Sequence, residues 1–530
     1  MSIKRLNLNV SLIIIVTVTA LLYARALQNG MLSWDDHTHI TDNKDIQSLS
    51  VHNIKAIFTS SYVRMYHPLV TLSFAIEYHF FELNPMAYHA TNVLFHLANV
   101  VLVFYLVYSL SQRRETALIA ACLFGIHPMH VESVAWIAER KDVVYAFFYL
   151  CAIICYTRFI QQEKIKYYWM ACICFVLSLF SKTTAITFPI VLFLIDFYFH
   201  RKVTVRTLLE KVPLFTLSLV FGLIAFYSQG VSARYINGSN YDFVDRLFLA
   251  SYSLSYYFIH VFAPFNLSAL HLMPIKIQGM LPVEYYIALI PLIILAFVGT
   301  RKGIFHREYV FGLLFFVIIL SVNIHVFPVG MAVVSERYTY LAYVGFYYII
   351  GQLYCYLFDR YQHLFCLRKQ VIITGTALIA MFLGYLTYQR IGVWKSTPIL
   401  FQDAAMKAGK LYEANLIQGL SYKFEGDEKF RSRLYMEAIE CFNKAIILIP
   451  QSPELYVNRG IAKHDLQEYT GAMKDYEKAI ELNPLFAPAY YRRALLFLLW
   501  NKQEEACMDL WTAYKLGMHN VFDINHLDCF

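Results

Sequence analysis

Eleven apolar stretches dominate the first 390 residues of this chain. A transmembrane helix needs about 20 mainly apolar residues, and most of these stretches approach that length. They cover approximately residues 9–29, 87–110, 115–127, 142–160, 167–181, 184–199, 212–229, 283–300, 309–326, 339–358 and 371–388. The composition agrees, because only 15% of residues are charged whereas soluble proteins carry about 25%. The sequence predicts a polytopic helical membrane domain over residues 1–390, with about 11 spans.

The distribution of lysine and arginine predicts the orientation of this domain. Cytoplasmic loops carry an excess of these residues. With a cytoplasmic N-terminus, the short basic clusters all fall on the cytoplasmic side: Lys4 with Arg5, Arg113 with Arg114, 164–166, 201–211, 301–307 and 360–369. The other side receives the outer loops 30–86, 126–142, 230–282 and 326–339. The apolar segment 244–262 would invert the last two clusters if it crossed, so we expect it to lie along the membrane surface or dip into it.

Beyond residue 390 the chain becomes polar and a period of 34 residues appears. Ala438, Ala472 and Ala506 follow this interval, as do Pro450 and Pro484. Small residues at helix crossings and a closing proline at this period are typical of tetratricopeptide repeats. Residues 391–530 are therefore predicted to form a helical solenoid on the extracytoplasmic side, in the bacterial periplasm or in the lumen of the endoplasmic reticulum.

Two details of the solenoid follow from the period. The first repeat is predicted to begin with a helix at 413–422, and an insertion of about seven residues at 425–433 then delays its second helix. Solenoids of this kind present a concave surface that binds protein segments. The residues predicted to line this acceptor groove are Val457, Asn458, Ile461, Tyr491, Arg492 and Leu495.

Unusual polar residues concentrate in three of the outer loops. The first contains Asp35 and Asp36, the second spans 127–142, and the third spans 335–340. A carboxylate at the membrane edge can act as a general base toward a hydroxyl group, and neighbouring arginine and lysine can hold a phosphate. This combination predicts group transfer from a lipid-linked phosphate without a metal or a nucleotide.

Histidines in the same loops leave a metal site as an alternative. His37, His39, His67, His127 and His130 could bind a divalent ion together with Asp35 or Asp36. His127 and His130 have no nearby third ligand in the sequence, so the prediction is no metal and no cofactor. The 10 cysteines show no paired spacing that would indicate a disulfide framework or a zinc site.

Several motifs together resemble a known family. They are Trp34-Asp35-Asp36, Tyr66-His67-Pro68-Leu69, the run from His127 to Asp142, and Glu336-Arg337-Tyr338-Thr339-Tyr340-Leu341. The pattern resembles the GT-C superfamily of membrane glycosyltransferases and, within it, bacterial-type members of the transmembrane-and-tetratricopeptide O-mannosyltransferase-like family. The resemblance implies an all-α GT-C-like bundle followed by the solenoid. It also implies a glycosyltransferase that uses a polyprenyl-phosphate-linked sugar and transfers it to serine or threonine hydroxyls of exported proteins.

The resemblance also implies roles for individual residues. The acidic motif of the family falls on Asp35 and Asp36, one of which would be the catalytic base, and the sequence leaves open which one. Charge and position on the outer side of the membrane predict the residues that bind the donor phosphate and sugar: His67, Glu132, Arg140, Lys141, Asp142, Lys182, Glu336 and Arg337. The repeats would recruit the acceptor protein.

Two other functions are weighed against this one. The chain could be a membrane-anchored scaffold whose repeats assemble exported proteins, in which case the charged loop residues would be dispensable. It could also be a lipid or polysaccharide transporter. Transporters carry charges along a path through their spans, whereas the polar residues here gather on one side.

Overall fold

The structure is a computed structural model that describes residues 2–62, 65–229, 241–300, 306–324, 332–361 and 366–518. It divides into two compact units, Met1–Ser396 and Thr397–Phe530, where the sequence predicted a division after residue 390. The predicted outer loops 230–282 and 326–339 and the clusters 301–307 and 360–369 lie partly outside the described residues.

The regular secondary structure of the described residues is helical apart from one short pair of strands. The helices of the first unit are α1 Ser2–Tyr23, α2 Val51–Thr59, α3 Pro68–Phe81, α4 Pro85–Ser111, α5 Arg114–Ile126, α6 Val131–Ala135, α7 Arg140–Gln162, α8 Ile165–Leu179, α9 Phe188–Tyr198, α10 Val205–Leu209, α11 Val212–Gln229, α12 Phe243–Phe262, α13 Val283–Ile287, α14 Leu289–Thr300, α15 His306–Leu320, α16 Thr339–Tyr361 and α17 Cys366–Val393. The strands are β1 His271–Leu272 and β2 Ala332–Val334. The second unit contains α18 Thr397–Lys407, α19 Leu411–Arg431, α20 Tyr435–Leu448, α21 Pro453–Asp465, α22 Tyr469–Leu482, α23 Ala487–Leu499 and α24 Gln503–Lys515. The predicted all-α class is confirmed.

Each apolar stretch of the sequence is helical over most of its length within the described residues. In the part of the chain that the structure describes, five helical segments are long and apolar enough to cross a membrane, or up to six if the bent pair at 114–135 counts as one span. Three further apolar helices are shorter. The protein is therefore a multi-pass membrane protein, and the count of about 11 spans stays a prediction.

One helix inside the first predicted outer loop was missed by the sequence analysis. Helix α3 runs over Pro68–Phe81, with Pro68 in its first turn. Its 14 residues are too few for a span, which is why hydropathy did not reveal it. Val70 and Phe74 are buried in the first unit, and the helix holds His67 at its N-terminal end. This helix gives the first loop a rigid frame.

The strand pair ties two of the predicted outer loops together. His271 pairs with Val334 and Leu272 with Ala332, in antiparallel order. The segment 244–262 forms α12 (Phe243–Phe262), whose Ser253 hydroxyl donates to the Val333 carbonyl at 2.9 Å. Its position along the membrane surface stays a prediction.

The second unit consists of helix pairs in the predicted repeat. Gly426 lies against Phe442, and 34 residues later Gly460 lies against Tyr476. The ion pair Arg459–Asp475, at 2.5 Å, likewise recurs 34 residues later in the following repeat. The predicted insertion at 425–433 is wrong, because α19 continues through this segment to Arg431 and keeps the period intact. The extra residues of the first repeat lie instead at the N-terminal end of α19, which has 21 residues where α21 has 13.

Substituting leucine for Gly460 is expected to destabilise the repeat unit by about 1–3 kcal/mol, the usual cost of overpacking. A Cβ atom at Gly460 would lie 2.5 Å from the ring of Tyr476, so α21 and α22 would have to separate. The measurement is limited proteolysis of the full chain, with faster cleavage within residues 453–486 expected. Gly409→Leu is the control, since a Cβ there meets nothing within 4 Å. Equal cleavage of both variants would contradict the proposed close packing.

Candidate functional site

An open cavity of about 140 Å³ lies among the ends of several helices of the first unit. Its wall brings together side chains from residues 35 to 338, so it is assembled by the fold and not by one loop. The lining residues are Asp35, Met65, Tyr66, His67, Glu139, Lys141, Ser181, Lys182, Thr183, Thr184, Asn323, Arg337 and Tyr338. Five of them belong to the site predicted from the sequence: Asp35, His67, Lys141, Lys182 and Arg337.

The two adjacent aspartates have different environments. Asp35 lines the cavity, and its carboxylate forms no hydrogen bond with any residue of the described chain. Burial raises the pKa of Asp35, while the cations Lys141 and Arg337 act in the opposite direction. A carboxylate that is accessible and unpaired can take a proton from a bound hydroxyl group.

Asp36 is fully buried and holds two loops together. Its Oδ2 accepts a hydrogen bond from the backbone N–H of Leu32 at 2.7 Å, and its Oδ1 accepts one from Ala138 at 2.8 Å. Burial raises the pKa of Asp36 to about 7 even though both backbone bonds favour the charged form. With both oxygens engaged away from the cavity, Asp36 fixes the position of the neighbouring Asp35.

Three cations on the cavity wall are each paired with a carboxylate. Lys141 Nζ lies 3.1 Å and Arg337 Nε 3.3 Å from the same Glu139 oxygen, Oε1. Lys182 donates to Asp142. Burial disfavours the charged form of Lys182, but Asp142 and Glu139 outweigh it and raise the pKa of the amine.

Glu132 and Asp142 support this wall from behind. Glu132 is fully buried and pairs with Arg337, accepting also the backbone N–H of Arg337 at 3.1 Å. Asp142 accepts a hydrogen bond from the Ser133 hydroxyl at 3.1 Å. Neither residue lines the cavity. Both were predicted to bind the donor, but in this geometry they act on it only through the cations with which they pair.

Arg140 is turned away from the cavity. Its guanidinium is fully buried and donates to Glu77 at 2.5 Å, to Asn92 Oδ1 at 2.8 Å and to the Tyr88 carbonyl at 2.8 Å. Helix α7 begins at Arg140, and consecutive helical residues point about 100° apart, so Lys141 faces the cavity while Arg140 faces α3 and α4. The prediction that Arg140 binds the donor is wrong for this geometry.

Glu336 is also a structural residue in this arrangement. It is fully buried, and Arg390 of α17 donates to it at 2.9 Å. The pair fastens the turn that carries Arg337 to α17. Arg390 and Glu77 were not predicted as partners, because neither has another charged residue within four positions of it in the sequence.

His67 lines the cavity as a neutral imidazole. Burial, with a contribution from Lys141, lowers the pKa of His67 to about 3. Its Nδ1 lies 3.2 Å from the Thr71 hydroxyl, and its Nε2 is buried without a hydrogen-bond partner. Among the lining residues that the predicted site did not include are Glu139, Asn323 and Tyr338.

The other histidines are distributed through the first unit. His127 Nε2 lies 3.1 Å from the Val261 carbonyl, and His130 Nε2 lies 3.0 Å from the Tyr347 hydroxyl. Within the described ranges, no three histidine, cysteine, aspartate or glutamate side chains converge as a group that could hold a metal ion. Activity without a metal or cofactor stays a prediction.

The predicted groove residues divide between the surface and the interior of the repeats. Val457 is buried in the hydrophobic core, so it packs the repeat and does not line a groove. Asn458 donates to Asp427 Oδ1 at 3.0 Å. Ile461, Tyr491, Arg492 and Leu495 are half-buried on α21 and α23.

The protein is thus a multi-pass helical membrane protein with a charged cavity and a tetratricopeptide unit. Residues 56–226 match the family model described as dolichyl-phosphate-mannose-protein mannosyltransferase. Residues 453–486 and 475–508 match models of the tetratricopeptide repeat. These matches confirm the resemblance predicted from the sequence.

Several protein O-mannosyl-transferases are similar to part of the chain. The Mus musculus protein O-mannosyl-transferase TMTC3 is 34% identical over 155 residues, which is 27% of this chain and 16% of the relative. The Xenopus laevis protein O-mannosyl-transferase tmtc2 is 28% identical over 214 residues, 37% of this chain and 26% of the relative. The matched region thus spans about a quarter or less of each relative. The oligosaccharyltransferase of Archaeoglobus fulgidus is 12% identical with a TM-score of 0.41, covering 81% of this chain and 58% of that one.

Proposed function

We propose that this protein is a membrane glycosyltransferase that moves a sugar from a polyprenyl-phosphate-linked donor to serine or threonine hydroxyls of exported proteins. The observation that carries the proposal is the cavity in which the unpaired carboxylate of Asp35 shares a wall with Lys141, Lys182 and Arg337. A base and a cluster of cations at one cavity are what such a transfer needs.

In the proposed reaction Asp35 acts as the general base and the lipid phosphate is the leaving group. Asp35 takes the proton of the acceptor hydroxyl as its oxygen forms a bond to the anomeric carbon of the sugar. The bond between that carbon and the phosphate oxygen breaks, and its electron pair leaves with the lipid phosphate. The products are the glycosylated protein and a polyprenyl phosphate, and the proton on Asp35 then passes to water.

The cations stabilise the phosphate as negative charge develops on it. Their buried carboxylate partners hold Lys182 and Arg337 in fixed positions before the donor enters. Donors that are already oriented stabilise a transition state without reorganising at the moment of reaction. Arg337 is suited to phosphate because a guanidinium presents several N–H groups in a fixed plane.

The proposal places the cavity and the repeats on the extracytoplasmic side, with the N-terminus in the cytoplasm. The basic clusters of the sequence support this orientation. So does Cys507 of the last repeat, which is disulfide-bonded although the sequence analysis found no disulfide framework. Disulfides persist in oxidising compartments.

In this proposal the repeat unit recruits the acceptor protein. Its candidate contacts are the half-buried Asn458, Ile461, Tyr491, Arg492 and Leu495, since helices of a solenoid line a concave surface that suits an extended peptide. A scaffold without enzymatic activity would use the same surface, but it would have no need of an unpaired carboxylate in a cationic cavity.

The experiment that tests the proposal is transfer by the purified full chain. It is supplied with a polyprenyl-phosphate-linked hexose and a peptide containing serine and threonine, without added metal or nucleotide. We expect equal amounts of hexosylated peptide and free polyprenyl phosphate. Release of neither product, with several hexoses tried and the chain folded, would favour the scaffold.

The pH dependence of this reaction follows from the environment of Asp35. A general base must be ionised, so the rate should rise with pH as Asp35 loses its proton. Because burial raises the pKa of Asp35, the midpoint of this acidic limb should lie above the ordinary value of about 3.9 for aspartate. The measurement is kcat/KM between pH 4 and 9. A rate that falls as pH rises through this limb would contradict the role of Asp35 as base.

A further inference from the structure

Two residues that line the cavity each have a buried polar atom without a hydrogen-bond partner among the described residues. The atoms are Oε2 of Glu139 and Nε2 of His67, on residues that are 1% and 3% exposed. Buried polar groups are nearly always hydrogen-bonded, because leaving one unpaired costs free energy. Both residues line the cavity, and the proposed transfer chemistry uses neither of them. A bound molecule could supply the missing partners.

The orientation of Glu139 is set by its other oxygen. Lys141 and Arg337 both pair with Oε1, at 3.1 and 3.3 Å. These two ion pairs fix the carboxylate and leave Oε2 as a charged hydrogen-bond acceptor. Such an acceptor forms stronger bonds with O–H donors than a neutral oxygen does.

The hydrogen bonds around His67 make its Nε2 an acceptor as well. The Thr71 hydroxyl donates to the His67 carbonyl at 3.4 Å, so its oxygen can accept the Nδ1 proton of His67 across 3.2 Å. With the proton on Nδ1, the Nε2 atom carries a lone pair. The low pKa of His67 agrees with a neutral ring.

Two free acceptors on one cavity wall define the chemistry of their ligand. They require hydroxyl donors, and they would repel the oxygens of a phosphate. The cationic groups of Lys182 and Arg337 have the opposite preference. We propose that Glu139 Oε2 and His67 Nε2 form a subsite that accepts hydrogen bonds from hydroxyl groups of the donor sugar, beside the part of the cavity that holds the phosphate.

This subsite rests on the proposed function. A comparison of two lipids tests the subsite and the proposed function separately. The probes are a short synthetic polyprenyl phosphate and the same lipid carrying a hexose, each titrated against the full chain in detergent. The hexoses are mannose, glucose and galactose. We expect at least one hexose-bearing lipid to bind wild type about tenfold or more tightly than the bare phosphate lipid, as hydrogen bonds to a charged acceptor allow.

The variants Glu139→Gln and His67→Phe test the two acceptors. The first keeps the shape of the side chain, and the second keeps an aromatic ring at the start of α3. Each should reduce the preference for the hexose-bearing lipid, measured as the ratio of the dissociation constants of the two lipids, about tenfold. Because Glu139 also pairs with two cations, His67→Phe is the variant whose effect does not involve charge.

Each outcome decides one of the two proposals. If wild type prefers a hexose-bearing lipid and both variants keep that preference, the subsite is wrong and the proposed function stands. If wild type binds the two lipids equally, the subsite is also wrong. If wild type binds neither lipid, the polyprenyl-phosphate donor is wrong, and the subsite that rests on it is wrong too.

Discussion

Asp35→Asn is expected to reduce the rate of sugar transfer about 10²–10⁴-fold, the range that a general base contributes. An amide of the same shape cannot take the proton of the acceptor hydroxyl. The Asp35 carboxylate forms no hydrogen bond with any described residue, and the backbone bond from the His39 N–H to the Asp35 carbonyl is unaffected by the change, so the substitution should leave the fold intact. The rate of transfer by the purified chain, normalised to its folded fraction, is the measurement.

Asp36→Asn provides the matched comparison at the next position. Here the amide would turn an N–H₂ group toward one of the two backbone N–H groups, of Leu32 or Ala138. The expected cost is about 1–3 kcal/mol of stability, because a buried donor loses its acceptor. The yield of folded chain should fall more than the turnover of the folded fraction. Full loss of turnover in Asp36→Asn with normal turnover in Asp35→Asn would reverse the assignment of the base. Asp42→Asn, on an exposed residue of the same loop, should leave the rate unchanged.

Arg140→Met is expected to destabilise the first unit by about 3–5 kcal/mol, the usual cost of removing one partner of a buried ion pair. Glu77 would keep a buried charge without its cation, and Asn92 and the Tyr88 carbonyl would each lose a donor. The measurement is the fraction of the full chain that remains monodisperse after heating in detergent.

Two controls separate this structural role from donor binding. Arg206→Met removes an arginine that is 86% exposed and should change stability little, as is usual for exposed ion pairs. The double variant Glu77→Met with Arg140→Met should recover part of the loss, since no unpaired charge remains. A stable Arg140→Met chain with weakened binding of the bare phosphate lipid would instead return Arg140 to the donor site.

The sequence was a good guide to the helices and a partial guide to the cavity. Hydropathy located the apolar helices because length and composition alone define them, and the 34-residue period located the repeats. The sequence patterns did not reveal α3, which is short, or the continuation of α19 through 425–433. In both cases tertiary packing stabilises a helix that its local pattern does not distinguish.

Only the structure shows which charged residues line the cavity and which form ion pairs or hydrogen bonds behind it. Asp35 and Asp36 are neighbours with similar chemistry, yet only the backbone amides of Leu32 and Ala138 decide which of them is engaged. Arg140 and Lys141 differ by one step of a helix whose starting residue the sequence did not give. Glu132, Asp142 and Glu336 were predicted to bind the donor. In the structure they pair instead with cations from distant parts of the chain.

Sugar transfer to exported proteins, with Asp35 as the base, would be visible in the intact masses of those proteins. These masses would be compared between cells that carry the wild-type chain and cells that carry Asp35→Asn at the same expression level. We expect an added mass of one hexose or more on at least one exported protein with wild type, and its loss with Asp35→Asn. Identical masses in the two strains, with both chains folded in the membrane, would contradict it.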